Sequence, residues 1–344
     1  MAKSIKKLLI TRFSALGDVA MTVPVVWSFA KAYPEVEIVV MSRHFMQPFF
    51  STLPKNVSFC GVDLKKQYHG LIGLMKLARD IKAMGFDAFA DFHDVLRTKV
   101  LRARLMFAIS NRAKINKGRL EKRSLCKRGA ASYHQLKTSV ERYADVLRKL
   151  GFRFEVNFQS IYADSQPQLS EKVTSLLVGT DGCKKVGVAP FAAMKGKIYP
   201  IEKMKQVVNL LSSSGVKVFL FGAGDNEKSV LEDWEHQFNN VVSTAGRLGG
   251  IAGELQLISK LDAMISMDSS NMHFASLVGT RVISVWGATH PAAGFLGYNQ
   301  NERDAVQLNL LCRPCSVYGK TPCKFGDYRC LDINPEAIVE KINK

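Results

Sequence analysis

The sequence predicts two doubly wound α/β domains in tandem. Short apolar runs alternate with helix-length amphipathic segments, the pattern of a parallel sheet whose crossovers are helices. The alternation stops once, over the polar residues 163–183, and then restarts. The chain has 344 residues, enough for about two domains. With 47% apolar and 23% charged residues, each domain can bury a core.

In the first half, KLLITRF (7–13), EVEIVVMS (35–42), residues 57–62 and FDAFADFHD (86–94) read as strands. Helices are expected over 18–33, 71–84, 95–109 and 132–150. The second half repeats the scheme with strands KVGVAPFA (185–192), VKVFLFGAG (216–224), NVVSTAG (240–246), DAMISMDSS (262–270) and TRVISVWG (280–287). Its helices are expected from Pro200 at N1 to a C′ glycine at Gly215, then over 229–238, 253–261, 271–279 and 335–343. The expected boundaries are 1–165 for the first domain, 180–330 for the second with its cysteine-bearing tail, and 331–344 for a closing helix. These are two Rossmann-like halves.

No stretch reaches the roughly 18 uninterrupted apolar residues of a membrane span. The N-terminal apolar run is soon broken by Arg12 and lacks a signal-peptide core, so a cytoplasmic protein is expected. The net charge of +18 points to an anionic partner. It is concentrated in residues 97–128, where twelve basic residues face one acid, Glu121. That stretch reads equally as a solvated face or as an anion-binding surface, with Arg119, Lys122, Arg123 and Lys127 as its candidates.

Ligands of open α/β sheets sit beyond the carboxyl ends of the strands, so the strand-to-helix turns are where chemistry is sought. The first turn, Thr11 to Asp18, lacks G-x-G-x-x-G and so does not indicate a dinucleotide site. Asp18 in it reads either as a helix cap or as a general base. A second turn carries Lys197 before a helix start, suited to phosphate or simply solvated. In a third, FGAGDNE, Asp225 is placed to hold ribose hydroxyls. A fourth, Asp268-Ser269-Ser270-Asn271-Met272-His273, gathers hydroxyls, backbone donors and an imidazole at a helix start. It suits a diphosphate, and equally a capping motif with a core histidine. A fifth, with Gly287 and Thr289, is placed to line the same pocket.

Of seven cysteines, Cys312, Cys315, Cys323 and Cys330 are grouped near the end of the chain. Four thiolates in one segment fit structural zinc, a packed thiol cluster or an oxidised knot. The last two do not form a C-x-x-C pair, and no catalytic zinc pattern is present.

Taken in order, these turns resemble the family 9 glycosyltransferases, the ADP-heptose:lipopolysaccharide heptosyltransferases. The resemblance rests on ITRFSALGDVAMTVPVV, KIYP, FGAGDNE and MDSSNMHFASLVGTRVISVWGATHP, with CRPC and two further cysteines as a tail. It implies the GT-B architecture, two Rossmann-like domains facing a central cleft. It also implies an inverting transfer that needs no catalytic metal. Asp18 falls on the family's catalytic carboxylate, Lys197 on its phosphate-contacting lysine, Asp268, Ser269 and Ser270 on its nucleotide-sugar motif, and His273 on the motif histidine. The chain departs from the family pattern at Ser270, where glycine is usual, and at Ala192 and Ala193, where threonines are common.

The resemblance thus implies transfer of a sugar, heptose from ADP-heptose, onto a lipopolysaccharide or lipooligosaccharide core. No cofactor is expected for catalysis. The partners expected are a nucleotide-sugar donor, a phosphorylated lipid-linked acceptor and an anionic membrane surface at the inner face of the inner membrane. Two rivals are a GT-B-like sugar-nucleotide epimerase and a nucleic-acid-binding protein; the second lacks the usual basic-aromatic modules.

Overall fold

The computed structural model describes residues 5–128 and 134–343. The chain divides into two compact units. The first runs as far as Lys117 and resumes over Ser139–Ile161. The second comprises Gly118–Thr138 and the chain from Tyr162 onwards.

In the first unit, strands β1 (Lys7–Thr11), β2 (Glu37–Arg43), β3 (Val57–Val62), β4 (Ala88–Asp91) and β5 (Asn111–Lys114) form one parallel sheet in the order β3-β2-β1-β4-β5. Strands β1 and β4 are buried along almost their whole length, because helices cover both faces of such a sheet. Helices α1 (Leu16–Ala20) and α2 (Val23–Ala32) replace the single helix predicted over 18–33. Pro24 lies at the start of α2 and has no N–H to continue a ladder from α1. Helices α3 (Gly70–Ala83) and α4 (Leu96–Arg104) pack on one face of the sheet, where Leu77, Ile81, Leu101 and Leu105 join Leu9, Val39 and Phe89 in a core.

The segment 118–138 departs from the expected boundary at residue 165. Helix α5 (Arg119–Arg128) belongs with the second unit because Leu125 and Leu136 bury against Ala292 and Ala293. The backbone N–H of Leu136 donates to Ala292 O at 2.9 Å. Lys122, expected on a solvent-facing rim, is instead buried, with its ammonium 3.9 Å from the Phe295 ring centroid. Lys122 and Leu125 are three apart and share the inward face. Arg119, Arg123 and Lys127 lie on the other face and are exposed. Helix α6 (Ser139–Arg148) returns to the first unit. It is shorter than the predicted 132–150, whose first two residues lie outside the described ones.

The second unit adds α7 (Glu171–Leu177), β6 (Lys185–Ala189), α8 (Ile201–Ser213), β7 (Lys217–Leu220), α9 (Asp225–Gln237), β8 (Val241–Ser243) and α10 (Ile251–Ile258). It continues with β9 (Ala263–Met267), α11 (Ser270–Leu277), β10 (Arg281–Val285), β11 (Ala305–Val306) and α12 (Pro335–Asn343). The parallel sheet runs β11-β10-β9-β6-β7-β8, the doubly wound order in which the chain reverses direction between β6 and β9. Pro200 sits at the N-cap of α8, one residue before the expected position, and Gly215 closes that helix at φ 77. Helix α12 packs its Ile338 and Ile342 into the core of this unit, so the last segment is part of the second domain. No described helix is long and apolar enough to cross a membrane.

Candidate active site

Each sheet has a switch point, and the predicted residues gather at both. In the first sheet it lies between β1 and β4, where Thr11 pairs with Asp91. Asp18 is the third residue of α1, not its N-cap. Its Oδ2 accepts from the backbone N–H of Ala15 at 3.2 Å and lies 2.6 Å from Arg12 Nη2. Both partners use the same oxygen, so Oδ1 carries neither contact, and the side chain is 33% exposed. The cap and the base are therefore compatible roles of one carboxylate.

Arg12 is buried, donates to Phe92 O at 2.7 Å and lies over the Tyr143 ring at 5.4 Å. Burial opposes its charge, but Tyr143, Asp18 and Asp91 outweigh burial and raise its pKa. A permanent cation thus fixes the Asp18 carboxylate from below. Beside it, the backbone N–H of Phe13 donates to His93 Nδ1 at 3.4 Å, which leaves the neutral ring's proton on Nε2, 3.3 Å from Ser14 Oγ. Burial first, then Arg12 and Lys117, push the His93 pKa from 6.5 down to about 3. The imidazole is neutral at physiological pH and orients Ser14.

This shift has a consequence for stability. The unfolded chain takes up a proton on His93 below about 6.5, whereas the folded chain resists until about 3. The stabilisation is complete above the upper value and is lost as the pH falls through that window. His93→Gln should therefore flatten the loss of urea stability between pH 7 and pH 4. A variant as acid-sensitive as the parent chain would contradict it.

In the second sheet, Lys197 ends a single 3-10 turn, Lys195–Lys197, after β6. Its Nζ lies 2.7 Å from Asp268 Oδ2, just beyond β9, and Thr289 Oγ1, beyond β10, donates to the same oxygen at 2.8 Å. Three turns distant in sequence thus meet on one carboxylate. Ser269 is the N-cap of α11, but no side chain caps that helix, and the Ser269 hydroxyl lies 3.3 Å from Ser266 Oγ instead. The first N–H groups of α11 are left for an anion. Ser270 is its first helical residue and is part-exposed, while His273 is buried.

Two further predicted donor residues lie outside this cluster of contacts. A Cβ on Gly287 would lie 2.5 Å from Gly196 O, so its glycine serves close packing of the Lys197 and Thr289 loops. The Ala288 N–H donates to Gly196 O at 2.8 Å across that contact. Asp225 is exposed at the start of α9, and among the described residues no hydrogen bond or ion pair joins it to the Lys197 cluster.

The four tail cysteines line one small cavity. Yet no three Cys, His, Asp or Glu side chains among the described residues are arranged to hold a metal ion, so as placed here they do not form the zinc site that was one of the three readings. The thiols have oxygen partners: Cys315 donates to Ala288 O and Cys323 to Asp327 Oδ1, each at 3.8 Å. Burial pushes the Cys330 thiol up to about 11 and raises Cys315 as well, so neither is a ready thiolate. All seven cysteines are free. Arg313 holds this segment: it is buried and donates to the carbonyls of Trp286, Gly287, Thr289 and Leu308 and to Gln307.

Sequence reasoning overlooked Arg12, His93 and Arg313 as site residues. The available signal for the first two was a charged or imidazole side chain at the carboxyl end of a buried strand. Arg313 had none, since its acceptors are backbone carbonyls.

Residues 74–325 match the family model described as Glycosyltransferase family 9 (heptosyltransferase). The chain is 25% identical over 194 residues to lipooligosaccharide heptosyltransferase 2 of Campylobacter jejuni, covering 55% of this chain and 60% of that protein. It is 22% identical over 293 residues to the lipopolysaccharide core heptosyltransferase OpsX of Haemophilus influenzae, covering 83% and 80%. The structure of E. coli heptosyltransferase WaaC with ADP superposes with a TM-score of 0.67 at 17% identity, covering 98% and 99%, and shares the GT-B fold. On a family match that spans most of its length, the chain belongs to glycosyltransferase family 9, the heptosyltransferases.

Proposed function

We propose that the protein transfers a heptose from ADP-heptose onto a lipopolysaccharide or lipooligosaccharide core, with inversion and without a catalytic metal. The observation that carries this is Asp18, one-third exposed and held by Arg12 and Ala15 through Oδ2 alone. Oδ1 takes the proton of an acceptor hydroxyl. The oxygen attacks the anomeric carbon as the bond to the diphosphate breaks on the opposite face. ADP leaves with the electron pair, and Lys197 with the α11 N-terminus stabilises its charge. Asp268 and Thr289 orient the Lys197 ammonium. The relatives' names and the family support this reading over an epimerase or a nucleic-acid-binding protein. The protein would act at the inner membrane face on a phosphorylated lipid-linked acceptor, with Arg119, Arg123 and Lys127 available to its anionic groups.

The test is ADP release from ADP-heptose with a deacylated core oligosaccharide, with the product's anomeric configuration read by NMR. Transfer with inversion, unaffected by a chelator, is expected. ADP release without transfer, or retention, would overturn the reading. Lys197→Gln should raise the Kd for ADP about tenfold or more, the worth of one charge-assisted hydrogen bond. Unchanged ADP affinity would remove Lys197 from the donor site.

A further inference from the structure

Four large apolar side chains of the first unit stand in solvent at the starts of two neighbouring helices. On α3, Leu71, Ile72 and Met75 are 63%, 84% and 42% exposed, and Leu96 at the head of α4 is 78% exposed. Single exposed leucines are ordinary, but a group on adjacent helix ends is not. Both helices turn their other faces into the same core, through Leu77 and Ile81 on α3 and Leu101 on α4 with its C-cap Leu105. Because all strands of this sheet are parallel, both helices begin at its carboxyl edge. The turn that carries Asp18 follows β1 at that same edge.

The surrounding charge is basic. Lys65, Lys66, Lys76, Arg97 and Lys99 are exposed around these helix starts. The nearby acids are already engaged: Asp63 accepts from the backbone N–H groups of Lys65 and Lys66, and Asp80 from the Tyr68 hydroxyl, with Arg79 3.7 Å away. Exposed apolar side chains with exposed cations near them in sequence suit the boundary between acyl chains and anionic headgroups.

We propose that the Leu71–Ile72–Met75 face of α3 and Leu96 of α4 dock the protein on an anionic lipid bilayer and so bring the carboxyl edge of the first sheet to a membrane-borne acceptor. This rests on the proposed function only for the identity of that acceptor. It gives the membrane contact four grouped apolar side chains, where α5 offers Leu120 alone beside its exposed cations.

The test is flotation of the full chain with vesicles of phosphatidylethanolamine and phosphatidylglycerol at physiological ionic strength, with phosphatidylcholine vesicles as the comparison. The parent chain should float with the anionic vesicles. The triple variant Leu71→Ser, Ile72→Ser, Leu96→Ser should bind them about tenfold or more weakly, since it loses inserted apolar area. These side chains are exposed, so its Tm should match the parent's. Lys76→Glu with Lys99→Glu should weaken binding at low salt and less so at high salt. Equal flotation of the triple variant and the parent chain, or no flotation of the parent chain, would overturn the proposal. So would a dimer that the triple variant dissolves while vesicle binding stays the same. On the deacylated acceptor the triple variant should transfer as fast as the parent chain. Failure of the parent chain in that assay refutes the transfer reaction, while the vesicle comparison still decides the docking face.

Discussion

Asp18→Asn should lower kcat by about a hundred- to ten-thousand-fold, the usual worth of a positioned general base. The amide keeps an oxygen to accept from the Ala15 N–H, so α1 retains its capping contact. It cannot take a proton from the acceptor. It also removes the nearest counter-ion from buried Arg12, which keeps Phe92 O, the Tyr143 ring and the charge of Asp91. Because Asp18 is one-third exposed, the full cost of breaking a buried pair does not apply. A loss of about 1–2 kcal/mol is expected. ADP affinity should not change, because the Lys197 cluster belongs to the other unit. Turnover within a few-fold of the parent chain, from a folded variant, would show that Asp18 is a structural cap alone.

Arg313→Met should cost about 3 kcal/mol or more, because several buried carbonyls lose a charged donor together. The guanidinium is 1% exposed and reaches Trp286 O at 3.2 Å, Thr289 O at 2.8 Å and Gln307 Oε1 at 3.1 Å, besides the carbonyls of Gly287 and Leu308. For a domain of this size each kcal/mol moves Tm by roughly 2–4 °C, so a fall of about 6 °C or more is expected. Thr289 sits in the splinted loop and holds Asp268, so ADP affinity should fall as well. Arg313→Lys should recover only part of the loss, since an ammonium cannot span so many acceptors at once. An unchanged Tm in Arg313→Met would mean that the tail is held by its backbone contacts.

Much of the fold was legible because its signals are local. The apolar runs of β1, β4, β6, β9 and β10 mark strands wherever they pair. Asp18, Lys197, Asp268 and Thr289 each follow such a run, and the rule that ligands sit at carboxyl ends finds them without coordinates. Two of the four edge strands were harder: β5 reads NRAK and β11 has two residues, so neither shows an apolar run. Helix α5 was missed because its composition is dominated by cations.

The sequence by itself determined that the chain forms two parallel sheets and that Asp18, Lys197, Asp268 and Thr289 lie in the turns after their strands, because both follow from neighbours along the chain. Tertiary structure alone decided which turns meet. His93 reaches Ser14 across 79 residues because β4 pairs with β1, and Thr289 reaches Asp268 because β10 pairs with β9. It also decided that Lys122 lies under Phe295 rather than on a basic rim, that residues 118–138 pack with the second unit, and that Arg313 ties the cysteine tail to the carbonyls of the Thr289 loop. Periodicity records which face of a segment is apolar; which distant surface covers that face is settled only when the strands have chosen their order.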